Sequence, residues 1–498
     1  MTTAKWDVTT SCNLRCAHCS VAKLYFSGSR PTSLSLADRL RVLDNLADGG
    51  VTHISLLGGE PLTLREDLFS LLDHARSRGI LVSLVTNGVL LNADTAHRLI
   101  EHGLSSLVVS IESARAEVHD QVRGRRTFHR TVENVEQLIR IRGQERVPSI
   151  GINTVLTRVN RDSFSLMPAF CRELGVDYWN ALTLNYIGNA ADNLDSLALS
   201  EAEHTAVALE LGNAIRDEGP DLDGLKINFT LVYPLVWEFL REKYDLPLPQ
   251  PEICCSAGSN LVYVSPDGDV HLCDRVYNSG YIGAKLDQQL IHPESLLQKS
   301  FDTVWKGGQY REMFSLAHRP ETYATYDPCY RCKYLFAGTC KPCPLSSLRG
   351  GTVRFEECVR AAEYLGNIGR SDGQPRTEWE RRHEFTPLGL APSQESAAHT
   401  SMYVIPAEGV RVAPQPSGGA LLQHPKLGDA IRLNAIAWEI WQVLDGETTI
   451  SDLCELILAT LGERLGPDGT SELVRKVEGF IDSLRRLGFL RLEEPKPR

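Results

Sequence analysis

Three cysteines stand within eight residues of one another, Cys12, Cys16 and Cys19, just after the run Trp6-Asp7-Val8-Thr9-Thr10-Ser11. That run reads as a short strand feeding a polar loop. Three thiolates can hold three irons of a cubane cluster and leave the fourth iron open. An open iron is a place where another molecule binds and is changed, which a closed structural site does not provide. The competing chemistry is a zinc knuckle or three ordinary buried thiols. Zinc normally takes four protein ligands, and His18, immediately before Cys19, is the only other candidate close by.

The C-x3-C-x2-C spacing resembles the signature of the radical S-adenosylmethionine (SAM) enzymes, with His18 where many relatives carry an aromatic residue. The resemblance implies that Cys12, Cys16 and Cys19 bind a [4Fe–4S] cluster whose fourth iron is chelated by SAM. One electron from the reduced cluster then cleaves SAM to methionine and a 5′-deoxyadenosyl radical. The cofactor carries that chemistry, and the protein positions and shields it. It also implies a flavodoxin- or ferredoxin-type reductant.

The elements that must position these cysteines alternate. Ser35 opens a helix that stops at Gly49-Gly50, and Thr52–Leu57 reads as a buried strand. Helices follow at Leu68–Arg78, Ala93–Glu101, Val132–Ile141 and Phe164–Leu174. Strands follow at Leu81–Val85, Leu107–Ile111, Ser149–Leu156 and Tyr178–Leu184. With the opening run this gives six strands separated by helices, hence an α/β fold with a parallel sheet and right-handed crossovers. Alternation alone does not separate an open sheet from a partial barrel; the resemblance implies a partial (β/α)6 TIM-like barrel. In either case the working residues belong at the C-terminal strand ends.

Gly58-Gly59-Glu60 follows the second strand and matches the family's motif for the SAM amino group, glycines admitting close approach and Glu60 supplying the opposite charge. Thr86 and Asn87 follow the third strand, as candidates for the methionyl end or as a plain turn. Ser110 and Glu112 end the fourth and correspond to the pair that reads the ribose hydroxyls, with Glu112 where many relatives have Asp. Asp120-Gln121-Val122-Arg123-Gly124 resembles a segment after the fourth strand in the same family; Arg123 is either a substrate-side group or a surface ion pair. Asn153 is a candidate for the adenosyl group, and the lone Cys171 reads as packing.

A second field of eight cysteines lies between residues 254 and 358. Cys254 and Cys255 precede, and Cys273 ends, a hairpin turned at Pro266-Asp267-Gly268. Cys329, Cys332, Cys340, Cys343 and Cys358 follow. Spacing alone allows a pair of zinc ribbons. Behind a radical SAM core the arrangement resembles a SPASM domain with two auxiliary [4Fe–4S] clusters. That implies Cys255, Cys273 and Cys343 at the first, with Cys254 as its fourth ligand, and Cys329, Cys332, Cys340 and Cys358 at the second. The chain's C-x2-C-x7-C-x2-C departs from the family's C-x2-C-x5-C-x3-C, so the ligation of the first cluster stays open.

Residues 366–400, rich in Gly, Pro, Ser and Gln, read as a linker. Beyond it, short strands at Tyr403–Ile405, Val410–Val412 and Ala420–Leu422 precede helices from Asn434, from Thr449 and over Glu472–Leu487, and a closing strand Gly488–Leu490. This predicts a winged helix-turn-helix. Eleven basic and fourteen acidic residues over 401–498 give it the wrong sign for phosphate. The stretch from Leu433 through Thr449 resembles the PqqD-like recognition element of enzymes that modify ribosomally made peptides. Such elements take a leader peptide as an added strand, and Tyr403, Val404, Val410 and Val412 are candidate edge residues.

The whole then divides as 1–190 (barrel), 191–250 (bridge), 251–365 (SPASM), 366–400 (linker) and 401–498 (leader-binding). The formal charge of −11 argues against nucleic acid. No apolar run spans a membrane, no room precedes the first motif for a signal peptide, and the cytoplasm is the expected compartment. The three resemblances together imply a peptide maturase that binds a precursor by its leader and modifies core residues, foremost by oxidative cross-linking (thioether, C–C or C–O). The alternatives are an epimerase, decarboxylase or side-chain oxidase, and outside enzymes an iron–sulfur regulator that binds DNA.

Overall fold

The computed structural model describes residues 2–26, 33–222, 224–232, 234–251, 256–258, 260–278, 293–307, 348–349, 352–353, 402–414, 420–423, 430–433, 435–461, 477–478, 481, 484–485 and 489–493. These divide into two compact units, one up to residue 307 with 348–349 and 352–353, the other from 402 onward.

The first unit is built on ten strands: β1 (Thr2–Asp7), β2 (Val51–Leu57), β3 (Leu81–Thr86), β4 (Ser106–Ser110), β5 (Ser149–Leu156), β6 (Tyr178–Thr183), β7 (Lys226–Phe229), β8 (Leu261–Val264), β9 (Asp269–His271) and β10 (Glu294–Ser295). Their order is β10-β9-β8-β1-β2-β3-β4-β5-β6-β7. β1 to β7 are parallel and follow one another without reversal. Right-handed crossovers that always step the same way place every helix on one face, the winding of a barrel wall rather than of a doubly wound sheet. Burial agrees. Ala4, Trp6, Ile54, Leu56, Leu84, Leu107 and Ile152 alternate onto the covered face and are at most 2% exposed. Between them along the strands, on the other face, come Lys5, Ser55, Ser83, Ser106 and Asn153. The fold is a partial TIM-like barrel wall.

Helix boundaries follow local chemistry. Ser35 caps Leu36–Asp48 by accepting from the Asp38 amide at 3.2 Å, and Asn92 caps Ala93–Glu101 the same way from Thr95 at 2.9 Å. A full capping box, Ser200 with Glu203, starts the helix Glu201–Glu218. Two elements differ from expectation. The stretch read as a bridge supplies β7, and the hairpin of the second cysteine field adds β8, parallel to β1, and β9 to the same sheet. The opening strand therefore lies inside the sheet. The segment at 120–124 closes a helix, Ala116–Arg123.

A two-stranded hairpin, β11 (Leu348–Arg349) with β12 (Thr352–Val353), completes what is described of this unit. Cys254, Cys255, Cys329, Cys332, Cys340, Cys343 and Cys358, most of the helix expected at 472–487, and the linker lie outside the described residues.

In the second unit β13 (Tyr403–Pro406) pairs antiparallel with β17 (Leu490–Glu493). β14 (Arg411–Pro414), β15 (Ala420–Gln423) and β16 (Ala430–Leu433) form a separate antiparallel sheet, of which β16 was not expected. The helices Ala435–Gln442 and Ile450–Leu461 stand where expected; Thr449 caps the second through the Asp452 amide at 3.1 Å. One candidate edge residue needs correction. Val404 is fully buried in the core with Leu422, Leu453 and Phe489, and its amide donates to the Thr448 carbonyl at 3.0 Å. Val410 packs partly against that core, whereas Val412, on the outer strand β14, is 38% exposed. No described helix is long and apolar enough to cross a membrane.

Candidate active site

Cys12, Cys16 and Cys19 occupy the loop after β1, half-buried and without disulfides. Several neighbouring elements hold that loop from outside. The Gly59 and Glu60 amides donate to the Thr9 and Ser11 carbonyls at 2.8 and 2.7 Å. A Cβ on Gly59 would lie 2.2 Å from the Ser11 carbonyl oxygen, so only glycine lets the two segments touch. Asn189 clamps the other end: its Nδ2 donates to the Cys16 carbonyl at 3.0 Å and its amide to the Cys19 carbonyl at 2.9 Å. The Ala17 amide donates to Val122, at the end of the helix Ala116–Arg123, at 2.9 Å.

The three half-buried thiols suit a cationic iron partner. Burial pushes the Cys19 thiol up to about 11, with Cys16 the next cause, and raises Cys12 and Cys16 as well. Such groups ionise readily only against a positive partner, which iron supplies. Among the described residues no three His, Cys, Asp or Glu side chains are gathered around one metal-ion position.

Glu60 is 1% exposed, and its carboxylate accepts from the Leu62 amide at 3.1 Å, Thr86 Oγ1 at 2.7 Å and the Asn87 amide at 2.8 Å. Burial raises its pKa against those bonds. In this geometry Glu60 ties the end of β2 to the end of β3. Asn87 Nδ2 donates to Asn13 Oδ1, beside Cys12, at 2.8 Å. Gly58, Gly59, Glu60, Thr86, Asn87 and the cysteine loop are thus brought together, as the spacing of the motifs suggested.

Ser110 lies at the end of β4, 8% exposed, and Glu112 two residues on is fully buried. The Glu112 carboxylate accepts from Arg123 Nε at 2.8 Å and from the Val155 amide at 2.9 Å, and His18 Nε2 stands 3.4 Å away. Arg123 and His18 hold it well below the usual carboxylate range despite its burial. Arg123, read from sequence as a surface pair or a substrate-side group, is a largely shielded cation, 11% exposed, with its guanidinium 3.9 Å from Cys16 Sγ. Nothing in the sequence pairs residues 18, 112 and 123. His119 is fully buried and its Nδ1 accepts from the Glu112 amide at 3.2 Å; burial and Arg123 lower its pKa to about 4.

Asp7, at the end of β1, was not expected to matter. It accepts a hydrogen bond from the Tyr25 hydroxyl, and burial raises its pKa to about 6 from 3.8. A raised carboxyl pKa adds stability that is present below about 4 and is lost as pH rises through about 6. Asp7→Asn keeps the acceptor for Tyr25 and removes the charge. It is expected to stabilise the protein by up to about 3 kcal/mol at pH 8 and to flatten the pH 4–6 slope in thermal unfolding. Equal melting of both forms at pH 8 would contradict this.

Comparison with known proteins accords with this geometry. The family described as Radical SAM superfamily matches residues 6–165, that described as Iron-sulfur cluster-binding domain (SPASM) residues 254–333, and that described as Coenzyme PQQ synthesis protein D (PqqD) residues 419–490. The chain is 26% identical over 368 residues to mycofactocin maturase MftC of Mycolicibacterium smegmatis, covering 72% of this chain and 79% of that one. It is 32% identical over 337 residues to an AdoMet-dependent heme synthase of Oleidesulfovibrio alaskensis, covering 66% and 79%. Among solved structures, native anSMEcpe with bound AdoMet superposes with a TM-score of 0.54 at 16% identity over 73% of this chain and 95% of that one. Streptococcus suis SuiB bound to S-adenosylmethionine gives 0.52 at 16% identity over 72% and 77%. The wall of parallel strands, the three-thiol loop at its C-terminal end and these matches lead to one conclusion: the chain belongs to the radical SAM superfamily, a radical SAM enzyme with [4Fe–4S] clusters and S-adenosylmethionine as cofactors and with SPASM and PqqD domains in the same chain.

Proposed function

We propose that this enzyme is a maturase of ribosomally made peptides, holding a precursor by its leader on the C-terminal unit and modifying core residues at the barrel, foremost by oxidative cross-linking. The observation that carries the reading is the combination in one chain of a three-thiol loop with a PqqD domain. A relative 26% identical over 368 residues is named a mycofactocin maturase. Strand β14, whose four residues are all exposed, is an outer strand of its sheet among the described residues, a place where a leader could add by backbone pairing. When bound, the cluster and SAM supply a 5′-deoxyadenosyl radical that removes a hydrogen from the substrate.

This chain's residues do the rest. Cys12, Cys16 and Cys19 would hold the irons. Gly58, Gly59, Thr86, Asn87, Ser110 and the Glu112–Arg123 pair would shape the SAM site, with Glu60 bracing it. Cys254, Cys255, Cys273, Cys329, Cys332, Cys340, Cys343 and Cys358 would hold two auxiliary clusters, which suit removal of the second electron that cross-linking requires. Tethering by the leader raises the concentration of the core at the site.

The test is mass spectrometry of a candidate precursor, encoded beside the gene, after incubation with reconstituted enzyme, SAM and reductant. A loss of two hydrogens per cross-link that needs SAM is expected. An unchanged mass with an inverted residue would mean epimerisation instead, and product formed without SAM would reject the mechanism. About twelve irons per chain are expected for three cubanes; about four would remove the auxiliary pair.

A further inference from the structure

The face of the sheet opposite the helices carries asparagines in phase on three neighbouring strands: Asn153 of β5, Asn180 of β6 and Asn228 of β7. Asn180 Nδ2 donates to Asn153 Oδ1 at 2.7 Å, and Asn228 Nδ2 donates to Asn180 Oδ1 at 2.6 Å. Ser110 pairs with Asn153 in register. Thr86 pairs with Val109, so Asn87 comes level with Ser110, and Asn87 is bonded to Asn13 beside Cys12. A polar ledge therefore runs from the cysteine loop, past the side chains placed around SAM, out to the edge strand β7.

Resting on the peptide-maturase reading, we propose that Asn153, Asn180 and Asn228 form a substrate rail that takes the extended main chain of the peptide beside SAM. Asparagine is among the residues depleted in strands, so three in phase run against local preference, as functional positions do. Each amide has two N–H donors and an oxygen with two lone pairs. Among the described residues, the bonds between them leave Asn153 with both N–H groups and one lone pair, Asn180 with one N–H and one lone pair, and Asn228 with one N–H and its whole oxygen. All three are half-buried. Beneath them the Tyr178 ring lies over Gly151, where a Cβ would meet it at 2.2 Å, and the Tyr178 hydroxyl bonds Ser106 at 2.8 Å. That closes the floor below the rail.

The chemistry selects the occupant. A neutral row of mixed donors and acceptors matches a peptide main chain, which offers both in alternation. Neighbouring strands stand ~4.8 Å apart, so three amides span about 10 Å, roughly three residues of extended chain. A carboxylate-bearing macrocycle would call for cations, and the rail holds none.

The test uses the full-length, anaerobically reconstituted protein with two probes, N-acetyl-trialanine amide and glutarate, followed by saturation-transfer NMR. The capped tripeptide is expected to bind the wild type and to lose affinity by about tenfold or more in the Asn180→Ala/Asn228→Ala double variant, two hydrogen-bonding groups being removed. Asn228→Ser, a milder change on the edge strand, is expected to lose several-fold, and serves if the double variant shows altered iron content or melting. Equal tripeptide affinity in wild type and Asn228→Ser, no tripeptide binding by the wild type, or preferential glutarate binding would each overturn the proposal. The underlying reading fails separately: its sign is that wild type leaves the precursor's mass and stereochemistry unchanged. A precursor modified in a SAM-dependent way, while the rail variants bind the tripeptide as wild type does, would sink the rail alone.

Discussion

Cys16→Ala is expected to bring 5′-deoxyadenosine formation down to background and to lower iron by about four atoms per chain, leaving any auxiliary clusters in place. The physical reason is that each cysteine of the loop serves a different iron, so no neighbour can substitute. His18, the nearest other donor, already faces Glu112 at 3.4 Å. The loop itself is held by backbone bonds to Gly59, Glu60, Val122 and Asn189 and should keep its shape without the thiol. Cys171→Ala is the control. That thiol is fully buried under the sheet, far in sequence from the loop, and its loss is expected to leave iron and deoxyadenosine unchanged. Chromatographic detection of deoxyadenosine with colorimetric iron after anaerobic reconstitution decides the matter. A Cys16→Ala protein that still makes deoxyadenosine would remove the cubane from this loop.

Arg123→Ala is expected to cost about 3–5 kcal/mol near neutral pH, because it strands the Glu112 carboxylate, fully buried, without its cation. The sign with pH follows from the depressed pKa. In the wild type, Glu112 contributes stability that is present above its ordinary value near 4.5 and is lost as pH falls through the lower folded value. Without Arg123, burial dominates and the folded protein prefers the protonated acid. The penalty of the substitution should therefore shrink as pH falls toward 4, and Glu112→Gln in the same chain should recover part of it. Thermal unfolding of the wild type, Arg123→Ala and the double variant across pH 4–8 tests both statements. A penalty that is the same at pH 4 and pH 7.5, with no recovery in the double variant, would mean the pair is incidental to stability.

These two residues show where sequence reading stops. Cys12, Cys16 and Cys19 announce themselves because their spacing is local. So do Ser35 and Asn92 as caps, the Pro266-Asp267-Gly268 turn, and Gly58-Gly59-Glu60 one βα unit after the cysteines. Each such signal is complete within about ten residues, where backbone geometry and side-chain type interact directly.

Arg123 is different. Its meaning comes from Glu112, Cys16 and His18, whose meeting depends on how the helix Ala116–Arg123 docks against the first loop. The same holds for the parallel pairing of β8 with β1, far apart in sequence, which places the opening strand in the middle of the sheet. It holds for Val404, an edge candidate by pattern and a core residue once β17 and Thr448 cover it. And it holds for Asn153, Asn180 and Asn228, unremarkable one at a time. The amino-acid sequence by itself determined the alternation of elements, their caps and turns, and the donor set of the first loop. Register between distant strands, and the burial that converts a surface charge into a structural one, were decided only when the sheet closed up. Both depend on contacts whose partners no local window contains.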